Sequence, residues 1–244
     1  MKTTKAVVLD IEGTTTPISF VYDILFPFAR RHAARHLSDH WGSPEVRGDV
    51  EAFRAQAVLD AREGVAGVVA IPDGDGDEVR AAVVASVLWQ METDRKTTAL
   101  KSLQGKVWRS GYASGQLKAD VFDDVPEALR AWEARGVPVY IYSSGSVEAQ
   151  KLLFAHTHYG DLRPLLSGYF DTTTGPKKVA ASYVAIAEKV GSRPEDLLFF
   201  TDVAAEAVAA GEAGFEAVVM DRPGNRPQPA HGFEVWTDFT QETP

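Results

Sequence analysis

One strand is separated from the rest of its sheet by a long helical stretch. Lys5 to Leu9 is a short Val-rich run that ends at Asp10. The Gly13-Thr14-Thr15-Thr16-Pro17 stretch behind it neither continues a strand nor starts a helix, so a loop sits at a strand's carboxyl end. From Val21 to about Gly115 the periodicity is helical throughout, in FVYDILFPFARRHAARHL, PEVRGDVEAFRAQAVLDAREG, DEVRAAVVASVLWQMETD and KTTALKSLQGKVWRSGY. After Asp124 strand and helix alternate. The helix PEALRAWEARG is followed by a strand over 137–142, a helix over 146–156, a strand near Tyr169, a helix over 178–190, a strand over 197–201, a helix over 204–212 and a strand over 217–220.

Strands separated by helices predict a Rossmann-like parallel sheet with right-handed crossovers. Because the first strand precedes the helical block and the others follow it, the block is an insertion. The expected fold class is α/β, with residues 1–18 and 120–244 forming the catalytic core and residues 19–119 an all-helical cap domain. Ligands of open α/β sheets bind beyond the carboxyl ends of the strands, where Asp10, Ser143 and Asp202 all emerge. The polar tail after Thr237 is expected to fray, and PDGDGDE and RPGNRPQP to be surface loops.

Composition narrows the chemistry. The chain holds no cysteine, which excludes thiol catalysis, disulfides and zinc-thiolate sites and suits a reducing cytoplasm. A net charge of -9 argues against a nucleic-acid binder, whose affinity is built from clustered Lys and Arg. No window approaches the apolar run of roughly 20 residues that a membrane span needs, and the N-terminus enters a strand without a signal-peptide core. A cytoplasmic protein without a nucleic-acid or membrane partner is expected. An anionic substrate would then need a local cation, and a divalent metal held by carboxylates supplies one.

Four segments carry side chains suited to that task. VVLDIEGTTT puts Asp10 and Glu12 on a loop leaving a buried strand, where Asp10 can attack phosphorus and Glu12 can serve as proton donor or base. Thr14 and nearby backbone N–H groups can hold phosphoryl oxygens. VYIYSSGS ends a strand with Ser143 and Ser144 just before a helix, an arrangement that favours anions. LLFFTDVAAE sets Asp202 at another strand end, with Glu206 one helical turn later, and Asp202 can complete an all-oxygen magnesium site with Asp10. FDTTTGPKKVAASY offers Lys177 and Lys178 at a Gly-Pro helix start, where an unfavourably placed cation points to a local anion. Taken singly, each segment also reads as a strand stop, a helix cap or a solvated lysine.

The order of these segments resembles the signature of the haloacid dehalogenase superfamily. Its first motif matches at Asp10, Glu12, Gly13 and Thr14, its second at Ser143, its third at the lysine and its fourth at Asp202. A narrower resemblance, to the enolase-phosphatase family of methionine salvage, runs through DIEGTTTPISFVYDILFPFAR, WQMETDRKTTALKSLQGKVWRSGY, VYIYSSGSVEAQKLLFAHT and FDTTTGPKKVAASY, and covers most of the chain. Glu12 is its telling feature, since phosphatases of the wider superfamily carry Asp there.

That resemblance implies enolisation and then dephosphorylation of 2,3-diketo-5-methylthiopentyl 1-phosphate to an acireductone, with Mg2+ required. It assigns the metal to Asp10, Glu12 and Asp202, substrate binding to Ser143, Ser144 and Lys177, and catalysis to Asp10, Glu12 and Lys177. Lys177 rather than Lys178 is chosen by its distance from the preceding glycine. The partner is a small phosphorylated metabolite and the chain is taken as a monomer. The alternative is a generic phosphatase of the same superfamily acting on a sugar phosphate or nucleotide.

Other signals are assigned to structure. His32, His36 and His40 recur on one helical face without a companion acid and read as a solvated helix. Asp73, Asp75 and Asp77 resemble a calcium loop, but Glu78 and Val84 stand where its glycine and bidentate acid belong. Trp89, Met91, Trp108 and Tyr112 read as packing residues, and Asp94, Arg95 and Lys96 as a solvated turn.

Overall fold

The computed structural model describes residues 4–241. The chain divides into two compact units, Met1–Asp23 with Lys118–Pro244, and Ile24–Leu117.

The first unit is built on a parallel sheet whose inner strands follow from short apolar runs. In chain order these are β1 (Ala6–Leu9), β2 (Val139–Tyr142), β3 (Gly168–Phe170), β4 (Leu197–Thr201), β5 (Glu216–Met220) and β6 (Glu234–Trp236). The order across the sheet is β3-β2-β1-β4-β5-β6, with every neighbouring pair parallel. β1, first in the chain, is therefore flanked by β2 and β4.

Alternate residues of a strand face opposite sides, and in β1 and β4 both sides are buried, which is why those strands read as unbroken apolar runs. Val8, Tyr142, Phe199 and Val219 join Tyr183 and Ile186 in one core. Phe200 turns the other way, where Trp132 packs 6.1 Å and Phe239 5.2 Å from it, centroid to centroid.

The α-helices among the described residues, numbered in sequence, are α1 (Phe26–Asp39), α2 (Pro44–Arg62), α3 (Asp77–Glu92), α4 (Thr98–Ala113), α5 (Val125–Ala134), α6 (Val147–Ala155), α7 (Ala180–Val190) and α8 (Ala204–Glu212). The first four make up the second unit. Ser43 and Thr97 cap α2 and α4 by accepting from the N–H groups of Val46 and Leu100. Phe28, Leu37, Phe53, Val83 and Leu103 are buried among them. Gly111 is required where α1 meets α4, because a Cβ there would lie 2.6 Å from the Phe28 ring. Among the described residues no helix is long and apolar enough to cross a membrane.

Several expectations need correction. The first cap helix is not one α-helix: Phe20–Leu25 is a π-helix that gives way to α1, whose first turn holds Pro27. Proline has no N–H for the i→i−4 ladder, so the wider turn before it accommodates the break. β6 was not expected, being a short partly exposed edge strand in a polar stretch. The tail does not fray at Phe239, which is buried and bonded through its N–H to Asp124; residues 242–244 lie outside the described residues. Arg95 is not in a solvated turn, for it pairs with the buried Asp60 and lies over Trp89. His36 is half-buried rather than solvated, and burial lowers its basicity, with His40 adding to the effect.

Candidate active site

Strand register gathers the candidate residues. Leu9 pairs with Ile141 of β2 and with Phe200 of β4, so the chain leaves the sheet at Asp10, Ser143 and Asp202 along one edge. Asp10 is buried beyond β1, its N–H bonded to the Phe200 carbonyl at 2.9 Å. Its Oδ1 accepts from the Ile11 N–H at 2.7 Å and lies 2.7 Å from Lys177 Nζ, while Oδ2 is 3.3 Å from Thr201 Oγ1.

Lys177 comes from a turn two residues before α7's N-cap, not from the helix start that the sequence suggested. Three side chains fix that turn. Tyr142 donates to the Gly175 carbonyl at 2.9 Å, Ser182 to the Pro176 carbonyl at 2.7 Å, and Tyr183 to the Lys177 carbonyl at 2.6 Å. The ammonium is thereby set between Asp10 and Glu206, whose Oε2 is 2.6 Å away.

Glu206 and Thr201 were missed as site members. Thr201 donates to Glu206 Oε2 at 2.9 Å. The spacing of Glu206 from Asp202, one helical turn, was the available signal, but only the buried lysine shows what it answers.

These groups make an acidic cluster in which Lys177 is the cation that acts on Asp10. Burial pushes Asp10 well above the ordinary carboxylate range; Lys177 opposes this, and Glu206, Glu12 and Asp202 reinforce it. Asp202 is pushed up to about 6 by burial, against the pull of Lys177. Burial alone would lower the Lys177 ammonium, but the charges of Asp10 and Glu206 outweigh it and raise it above its usual value.

The loop between Asp10 and Pro17 is closed on itself. The N–H groups of Thr14, Thr15 and Thr16 converge on the Ile11 carbonyl at 3.2, 3.0 and 2.9 Å. They are therefore not the free phosphate donors expected beside Thr14. The Thr14 hydroxyl is buried and has no hydrogen-bond partner among the described residues. Gly13 adopts φ +69°, and a Cβ there would lie 2.6 Å from Asp202 Oδ2, so this glycine admits the second acid.

Ser143 is buried, and its Oγ accepts from the Gly145 N–H at 3.1 Å; Ser144 beside it is exposed. Lys178 is exposed.

Among the described residues no three acidic or histidine side chains are gathered into a ready metal cage, so Asp10, Glu12 and Asp202 do not form one as they stand. Magnesium needs less. It commonly takes one or two carboxylates with waters and substrate oxygens. Asp10 and Asp202 supply two hard oxygen donors in a cluster where the charges of Glu206, Glu12 and Asp202 raise Asp10 and Lys177 opposes them, and that donor set fits the ion.

A buried aspartate at the end of the central strand, a lysine ion-paired to it and an acid at the end of the neighbouring strand define a class of hydrolase. The family model for haloacid dehalogenase-like hydrolases matches residues 4–214, and the chain belongs to that family. Among its relatives is the probable bifunctional methylthioribulose-1-phosphate dehydratase/enolase-phosphatase E1 1 of Vitis vinifera, 52% identical over 240 residues, covering 97% of this chain and 46% of that protein. The chain thus spans about half the length of the curated relatives it matches. The solved UTR4 protein of Saccharomyces cerevisiae is 31% identical, with a TM-score of 0.78 over 98% of this chain and 99% of that one. The hydrolase YfnB of Bacillus subtilis, described as bound to magnesium, is 14% identical, with a TM-score of 0.56 over 98% of this chain and 97% of that one; it shares the fold.

Proposed function

We propose that this chain is a magnesium-dependent enolase-phosphatase of methionine salvage, acting in the cytoplasm on 2,3-diketo-5-methylthiopentyl 1-phosphate. The observation that carries the reading is 52% identity across 97% of the chain to a relative whose name includes that activity. The relative's name joins two activities, and membership of a hydrolase family ties this chain to the phosphatase part.

The chain's own residues suit the reaction. Asp10 attacks phosphorus, forming a carboxylate–phosphorus bond as the ester P–O bond breaks, and Glu12 gives a proton to the departing oxygen. Water then cleaves the acyl-phosphate, returning Asp10 as a carboxylate and giving a proton to Glu12. Lys177 holds Asp10 in orientation and places positive charge beside the phosphoryl group. Ser143 and Ser144 bind the substrate from the neighbouring strand end. Magnesium, held by Asp10 and Asp202, would neutralise the phosphoryl oxygens and the enolate. Glu12 is the proposed base for the carbon-bound proton.

The test is phosphate release and enolate absorbance with the diketone phosphate, for the parent protein, Asp10→Asn and Glu12→Ala. The expected result is that Asp10→Asn loses phosphate release but still accumulates enolate, while Glu12→Ala loses enolate formation. Equal loss of both steps in both variants would remove the division of roles. A higher kcat/KM for a sugar phosphate or nucleotide would replace this substrate with the generic alternative.

A further inference from the structure

Arg222 lies two residues past β5, is 4% exposed, and reaches back across the sequence to the nucleophile loop. Its Nε donates to the Thr14 carbonyl at 3.1 Å, and its Nη1 to Asp124 Oδ1 at 3.0 Å and the Thr237 carbonyl at 3.2 Å. The guanidinium carbon lies over the rings of both Phe122 and Phe239, 4.5 and 4.7 Å from their centroids. Asp124 is fixed in turn, its Oδ2 accepting from the Phe239 N–H at 2.6 Å.

The neighbouring carbonyls are tied down as well. The Gly13 carbonyl accepts from Asn225 Nδ2 at 2.8 Å, and the Thr15 carbonyl from the Phe122 N–H at 3.0 Å. Three consecutive carbonyls of the loop are thus gripped from outside it, while the N–H groups of Thr14 to Thr16 are gripped from inside by Ile11. A peptide plane held at both ends cannot rotate, and the Ile11 carbonyl on which those N–H groups converge lies in the chain between Asp10 and Glu12. Of the three outer grips only Arg222 is charged, and a charge-assisted bond is the stronger kind.

We propose that Arg222, oriented by Asp124 and the two phenylalanine faces, is a positioning residue for the Asp10–Glu12 loop: it acts on catalysis through the Thr14 carbonyl and contacts no substrate. This rests on the reading of Asp10 as nucleophile.

Removing Arg222 alone would strand the Asp124 charge, so the informative variant is Arg222→Met/Asp124→Asn, which discharges both partners and keeps an acceptor for the Phe239 N–H. Phosphate release and Tm are measured in the full chain with Mg2+, together with beryllofluoride binding followed by fluorine NMR. The expected result is a kcat at least tenfold lower, KM within about threefold and Tm within a few degrees of the parent. Arg222→Lys, which keeps the charge but has no planar fork, should recover part of the loss.

Unchanged kcat in the double variant, a loss that tracks KM or Tm alone, or failure of both variants to fold would overturn the proposal. The nucleophile reading is judged separately. Beryllofluoride bound equally by the parent and by Asp10→Asn would overturn that reading, whatever Arg222 does.

Discussion

Lys177 Nζ lies 2.7 Å from Asp10 Oδ1 although 167 positions separate the two residues, and the same ammonium is 2.6 Å from Glu206. Both carboxylates and the lysine are almost wholly buried. The pairing fixes the Asp10 carboxylate, the proposed nucleophile, and offsets part of a local excess of negative charge.

Removing that cation should therefore be costly twice over. Lys177→Met leaves Asp10 and Glu206 facing each other without a counter-charge, and breaking a buried pair from one side costs about 3–5 kcal/mol. Denaturant unfolding without metal should show a loss of that order, and kcat for phosphate release should fall by about 10²–10³, the usual effect of deleting a preorganised electrostatic group.

Metal binding should depend on pH through Asp202, whose carboxyl is pushed up to about 6 by burial. Above that pH the metal-free fold holds an ionised, poorly solvated carboxylate; as pH falls toward the unfolded value, protonation relieves this and stabilises the metal-free fold. Magnesium requires the ionised form. The Mg2+-induced rise in Tm should accordingly be larger at pH 8 than at pH 5, and an equal rise at both would contradict this account.

Gly13→Ala tests the contact between the two strand ends. The left-handed backbone costs a side chain about 1–2 kcal/mol, and the new Cβ would meet Asp202 Oδ2 at 2.6 Å. Both stability and the Mg2+-induced Tm shift should fall, since Asp202 has to move.

The C-terminal segment should behave as core. Phe239 packs edge-on against Phe200 and Trp132, at 5.2 and 5.5 Å. Phe239→Ala should cost about 3–5 kcal/mol of stability by denaturant unfolding; a change below about 0.5 kcal/mol, as at a frayed end, would refute its place there.

Much of this was legible without coordinates because it is local. Apolar runs such as AVVL and LLFFT, buried on both faces of a sheet, mark strands wherever they occur. The acids and serines following those strands are ambiguous one by one, but their order along the chain singled out Asp10, Ser143 and Asp202. What the order of residues determined was which elements form and which of them end in a chemically capable side chain.

Tertiary structure decided which of those side chains meet and what surrounds them. Lys177 reaches Asp10 only because Tyr142, Ser182 and Tyr183 fix its turn. Glu206 became a partner of that lysine, and Arg222 a brace on the Thr14 carbonyl, through contacts spanning distant parts of the chain. Those bonds join residues with no common periodicity. Their strength comes from exclusion of water, which exists only once the core has closed.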